Sequence, residues 1–324
     1  MKALKTLTLA GLLVGLTGIT QAQDDLGKQL SKVAGQNAVN YVSPLLSSLG
    51  ADLNSGFYHS ADLHDILGFD IGLKLGATIV KDEEKVFNFV MPDKVTYSGI
   101  TFSAGVDYDK TISNSPTALG VESGVPVKVK AGRPGAGQTI FTTPQGFNFK
   151  YVPLVAPQAA IGLPLGLEVI GRFIPTVTLP EEAGKINFIG FGLRHDIDQY
   201  IPLFPLQVSV HFVTQNLTLT DNADKKILSG SATAYGVEVS KNFALLTLYG
   251  GFQLEKSKWD IESYSFSDPS SAASIQVQGF SVEGKNTSRF HAGVRLLLLV
   301  LNVHADYSFA THPVVTAGVG ISFR

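Results

Sequence analysis

His304, Asp306 and Ser308 stand at two-residue steps and are the residue types of a base, the carboxylate that orients it, and a nucleophile. On an extended strand all three share one face, but neighbours on that face lie about 6.5 Å apart along the strand, beyond direct hydrogen-bond reach. The spacing therefore reads as a ladder of polar side chains, and a non-enzymatic protein is expected. His195-Asp196-Ile197-Asp198 is the other cluster with ligand chemistry. Alternation sends His195 and Asp196 to opposite faces, so a shared ion would need a loop that brings His195 to Asp198. No metal and no cofactor are expected.

The remaining reactive groups are charges at alternate positions. Lys74, Glu168, Arg172, Arg194, Asp196, Glu238, Glu255, Arg289, His291, Arg295, His304 and Asp306 fall on the polar face of alternating segments. Charges gathered inside a narrow structure are costly unless paired, so most should form ion pairs between neighbouring strands. Two readings stay open. In one the network fills the interior. In the other, Arg172, Arg194, Arg289 and Arg295 line a pore or meet an acidic head group. The near balance of signs favours the first.

The elements that position these residues are strands with one apolar row and one polar row. Phe69, Ile71, Leu73 and Leu75 alternate with Asp70, Gly72, Lys74 and Gly76, and the same pattern recurs around Glu168 and Arg172 and through Ile189–Asp196. It is cleanest toward the C-terminus. Tyr235, Val237 and Val239 oppose Gly236 and Glu238; Val294, Leu296 and Leu298 oppose Arg295; Val319, Ile321 and Phe323 oppose Gly320 and Ser322. The small, sparsely charged polar face suits a crowded lumen, and the segments approach the 9–11 residues of a tilted membrane strand. The expected fold is an all-β, transmembrane antiparallel β-barrel of about 12 strands, within a span of roughly 10–14, preceded by a short N-terminal helical segment.

Composition agrees. Charged residues make up only 16 % of the chain, there is no cysteine, and the net charge is −2. The missing cysteines leave no disulfide framework and no thiolate metal site. The charge gives no basic face for nucleic acid. Lys2 and Lys5, the apolar run Leu7–Ile19 and Thr20-Gln21-Ala22 have the order of a secretory leader cleaved after Ala22. The expected organisation is a signal peptide over 1–22, a helical plug and link over 23–66, and a barrel over 67–324. Within 24–49, apolar residues recur at three- and four-residue steps, and Pro44 should kink or end the helix near Ser43. Residues 81–150 alternate poorly and carry turn formers, so they should make a long loop or an inward fold. Lys256–Ser274 reads as an extracellular loop. Tyr151, Trp259, Tyr264, Phe266, Tyr307 and Phe309 are expected in the interfacial aromatic girdles.

Several segments match known barrels in order. Asn54-Ser55-Gly56-Phe57-Tyr58-His59-Ser60-Ala61, Pro157–Leu163, Arg172-Phe173-Ile174-Pro175 and Gly190–Ile197 together resemble an uncharacterised family of outer-membrane β-barrels, a domain of unknown function found chiefly in Bacteroidota. The layout of helix, Asn-containing link and barrel is more distantly similar to the long-chain fatty-acid transporter class, with Asn54-Ser55-Gly56 where that class has Asn-Pro-Ala. These resemblances imply an outer-membrane location and no catalytic residues. The expected partners are outer-membrane lipid, the barrel-assembly machinery and a small hydrophobic ligand. The leading expectation is a channel or transporter, the alternative a structural or surface-interaction barrel without transport, and the third a lipid-modifying barrel enzyme.

Overall fold

The structure is a computed structural model, and it describes residues 35–179, 184–267 and 274–323. The proposed leader and residues 23–34 of the expected plug lie outside the described residues. Ten antiparallel strands close a barrel: β1 (Phe69–Ile79), β2 (Tyr151–Leu163), β3 (Leu167–Thr178), β4 (Lys185–Asp196), β5 (Gln207–Thr220), β6 (Lys226–Phe243), β7 (Leu246–Ile261), β8 (Ser288–Leu298), β9 (Leu301–Phe309) and β10 (Val314–Phe323). Each pairs with its neighbour in sequence, and β1 closes the circle against β10 in a register that sets Phe69 opposite Phe323 and Gly72 opposite Gly320. An additional short strand, Phe280–Glu283, flanks the end of β7.

Closure leaves no sheet edge within the barrel, and the alternation decides what each face meets. On β10, Val315, Val319, Ile321 and Phe323 point out, while Thr316 and Ser322 are buried inside. The same division holds on β1, where Lys74 and Thr78 are buried and Ile71 and Leu75 are exposed. A continuous apolar exterior around a polar interior defines a membrane-spanning barrel. None of the described helices is long and apolar enough to cross a membrane.

The expected count of about 12 strands is corrected to ten. Residues 80–150 supply no spanning strand, because their strands are three to six residues long and form small hairpins at one rim. Val86–Val90 pairs with Thr111–Pro116, Lys94–Tyr97 with Ile100–Ser103, and Pro126–Lys128 with Thr139–Thr142. Their apolar residues, among them Phe89, Phe102 and Val127, pack with Ala38, Tyr41 and Val42 in one cluster, so this segment caps the barrel. Glu84 ties the cap to the β9–β10 turn through His312, 2.6 Å away. Burial pushes the Glu84 carboxyl up, but the bond to His312 and the charge of that ring hold it below the usual glutamate range.

Helix α1 (Gln36–Leu53) runs inside the barrel from the capped rim toward its middle. Two expectations are corrected here. The helix passes through Pro44 without ending at Ser43, since packing by the cap and wall on both sides holds it in place despite the lost amide. Trp259 belongs to no girdle: it is fully buried inside, next to α1, because it shares the inward phase of β7 with Gln253, Glu255 and Ser257. Lys256–Ile261 is strand and not loop, because β7 continues past the apolar band, with Lys256 and Lys258 outward above it. Tyr151, Tyr307 and Phe309 do point outward, and the side chains of Tyr264 and Phe266 lie outside the described residues.

Gly230 faces the Trp259 ring so closely that a Cβ there would overlap it. Gly230→Val is therefore expected to lower barrel stability by about 1–3 kcal/mol through overpacking. The unfolding midpoint in detergent checks this; an unchanged midpoint would show that the tryptophan has room to move.

Candidate functional site

The lumen is occupied by α1 and by the extended link that follows it. The helix ends at Asn54, and Gly56, at φ 66°, turns the chain out of the helix in a backbone region where glycine meets no Cβ penalty. Residues 57–66 then run along the wall toward β1. The last helical carbonyls carry the negative end of the helix dipole, and the helix has no basic residue of its own in that turn. The wall supplies the cations. Arg289 Nη2 donates to the Ala51 carbonyl (2.7 Å), and Arg172 donates to the carbonyls of Leu53 (3.3 Å) and Ser55 (2.8 Å). Gln215 also donates to the Leu53 carbonyl, Gln253 to that of Asn54 (2.8 Å) and Gln158 to that of Phe57 (2.9 Å). Thr78 donates to the Ser48 carbonyl (2.9 Å), and the Asn54 amide donates to the Lys256 carbonyl (3.2 Å). The helix end and the link thus find partners on six different strands, β1, β2, β3, β5, β7 and β8.

Two arginines also stack on the link. The Arg172 guanidinium lies 3.7 Å from the centre of the Phe57 ring, and that of Arg194 lies 4.9 Å from Tyr58. Both cations are buried, where such contacts are stronger than at a wet surface.

The inward charges divide into those paired across strands and those that hold the plug. Arg194 donates to Glu168 (2.7 Å) directly across β3 and β4, and it also reaches the Ser60 carbonyl. His64 of the link sits 2.6 Å from the other Glu168 oxygen and 3.0 Å from Ser322 Oγ. Arg289 grips Glu255 with two bonds of 3.0 Å, a bidentate geometry, across β7 and β8. Among the described residues Arg172 meets no carboxylate: it donates to carbonyls and to the side chains of Gln158 and Gln215. The expectation of pairing across strands thus describes Arg194 and Arg289, whereas Arg172 is satisfied by the plug.

Lys74 lies 2.9 Å from His304 Nε2. An ammonium only donates, so that nitrogen accepts, and Nδ1–H donates to Asn302 (3.0 Å), which donates in turn to Asp70. Asp306 accepts from Tyr249 (2.9 Å) and Thr316, and Ser308 accepts from Arg289 (3.3 Å). His304, Asp306 and Ser308 are each committed to other partners and form no relay. His211 and His291 flank Glu238 at 3.6 and 3.5 Å, and Arg295 donates to Ser322 (3.3 Å). Asp196 is corrected out of the lumen: it sits at the end of β4, where its carboxylate accepts from the Gln199 amide (3.3 Å), because the chain turns there. His195 bonds to Tyr200 (3.1 Å) and does not meet Asp198, which accepts from the Val208 amide. Among the described residues no group of three or more His, Asp or Glu is placed to hold a metal ion.

Gln158, Gln215 and Gln253 were not singled out from the sequence. Their signal was there: each is a long amide on the inward phase of its strand, Gln158 between Ala156 and Ala160, Gln215 between Val213 and Leu217, and Gln253 next to Glu255.

A closed ten-stranded barrel with an apolar exterior and a lumen filled by the chain's own N-terminal segment is a plugged membrane β-barrel. The chain belongs to a family of unknown function, DUF6588, which matches residues 1–323. No curated protein matches it. Similar solved structures include the translocator domain of the autotransporter NalP from Neisseria meningitidis, at 11 % identity and TM-score 0.30 over 82 % of this chain and 90 % of that one. The attachment invasion locus protein Ail of Yersinia pestis gives 10 % and 0.25, over 80 % and 99 %. The toluene transporter TodX of P. putida gives 9 % and 0.27, over 89 % and 94 %.

Proposed function

We propose that this chain is an outer-membrane barrel sealed by its own N-terminal segment, a non-enzymatic scaffold that presents the folded cap of residues 80–150 for interaction at the cell surface. One observation carries the reading. Wall side chains from strands all around the barrel bond to successive backbone carbonyls between Ser48 and Ser60, so the plug is fixed by its main chain. A plug held in this way fills the lumen as a structural element, and the link cavities beside it are only water-sized. The short turns then face the periplasm and the capped rim faces outward, as in barrels with long extracellular loops. The leader is removed after Ala22, and assembly machinery and membrane lipid are the partners this life cycle needs. Carriage of small hydrophobic molecules would require release of the plug.

The test is solute entry into vesicles carrying the full mature protein, together with planar-bilayer recording. No swelling in small sugars and no unitary current are expected. Steady conductance from the intact chain would overturn the sealed-barrel reading in favour of a channel.

A further inference from the structure

The two rims differ in a way the function above does not use. Among the described residues, nine other than glycine adopt positive φ, and the rim decides their type. At the capped rim they are Ser98, Asn114, Asn148 and Asp224, the short polar types that tolerate this region. At the opposite rim they are Leu67, Leu165, Leu203, Ala244 and Leu299, with φ between 52° and 67°. A leucine there bears a Cβ penalty that asparagine or glycine would relieve. The side chains are also mostly exposed: Leu165 is 79 % exposed, Leu203 102 %, Leu299 92 %, Leu67 71 %, and Leu245, beside Ala244, 56 %. Three turns of this rim and the entry to β1 thus carry an exposed leucine where turn chemistry asks for a polar residue or glycine, and the fourth turn carries Ala244 with exposed Leu245 beside it.

The membrane-facing band explains the choice. On β8 the outward row Val294, Leu296 and Leu298 runs without a polar break into Leu299 and Val300. On β7 the outward row runs from Leu246, opposite Leu296, through Leu248 and gives way to Lys256 above Leu254. From Leu245 to Leu254 is nine residue steps, about 24 Å of height at the usual strand rise and tilt, close to the roughly 25 Å apolar band of such barrels. The band therefore reaches its full height only when the turn tips are counted in it. Charged groups at this rim fold back on the protein. Asp62 accepts from Asn242, Asp196 and Asp198 accept backbone amides, and Lys241 donates to the Pro205 carbonyl, with Asp65 exposed at the mouth.

We infer that the short-turn rim is seated within the lipid, with the leucine tips in the acyl region of the leaflet, so that the barrel has no wet collar on that side. This rests on the membrane-barrel reading, and the test keeps the two apart. The chain has no cysteine, so single cysteines carry a fluorescent label without background. Leu165→Cys and Leu299→Cys probe the tips, Val294→Cys the middle of the band, and Asp224→Cys the capped rim. In phosphatidylcholine vesicles, the tip labels should be quenched by bromine-bearing acyl chains as the Val294 label is, and should resist aqueous iodide. The Asp224 label should behave in the opposite way. Tips open to iodide while Val294 stays lipid-quenched would overturn the seating and spare the barrel. Iodide access at Val294 would overturn both. Tips shielded from both quenchers would mean a protein contact and would also overturn it. A second measurement uses the backbone strain. Changing Leu67, Leu165, Leu203 and Leu299 to Asn relaxes four left-handed residues, so tips in water would raise the thermal midpoint in vesicles, whereas lipid-seated tips lower it.

Discussion

Replacing Arg289 with leucine is expected to lower the stability of the folded barrel by about 3–5 kcal/mol, since it strands the buried Glu255 carboxylate without its partner. Arg289 is 1 % exposed and satisfies both Glu255 oxygens as well as the Ala51 carbonyl at the end of α1. Its loss therefore costs the wall and the plug together. Arg289→Lys keeps the charge but not the two-pronged grip, and should fall between the leucine variant and the parent. The double change Arg289→Leu, Glu255→Leu removes the stranded charge and should recover most of the loss, because an apolar pair of similar volume often replaces a buried ion pair at little cost. Denaturant unfolding from vesicles, followed by the heat-dependent shift in gel mobility, reads all three. A leucine variant as stable as the double would show that the lumen admits enough water to solvate Glu255.

Deleting residues 36–58 is the second change with a large expected effect. The ten wall strands close their circle through pairings with one another, so the sheet keeps its complete hydrogen-bond circle without α1. What disappears is the material in the lumen and the partner atoms of Arg172, Arg289, Gln158, Gln215 and Gln253. Those groups then face water, which costs a polar side chain nothing. The deleted barrel is expected to pass from no current to resolved unitary openings in planar bilayers. The remaining buried charges of the wall, Lys74, Arg172, Arg194, Arg289 and Arg295 against Asp70, Glu168, Glu238, Glu255 and Asp306, are balanced, so ion selectivity should be weak. A deletion protein that still shows the heat-dependent mobility shift but stays silent would mean that another segment, the cap first, closes the lumen. Current from the intact chain as well would return the sequence-based expectation of a channel.

Residues at period two determined by themselves that this chain is a barrel, and which face of it is wet. That information is local: Ile71 and Lys74, or Leu296 and Arg295, fall on opposite faces of any extended strand, whatever it pairs with. The identity of most lumen charges followed directly, as did a helical segment ahead of the barrel. The tertiary structure alone decided the rest, for physical reasons that no spacing carries. Whether Arg172 meets a carboxylate or a carbonyl depends on what fills the lumen. So does the fate of Pro44, whose helix survives because the wall and cap enclose it. Trp259 shares the inward phase of Glu255, so its spacing already sets it inside, and only the helix packed beside it makes it core. Asp196 keeps its inward phase but loses its place, since a phase says nothing of where the strand stops. The leucine tips were legible as residues and not as a pattern, because four turns and the entry to β1, scattered along the chain, become one rim only when the sheet closes.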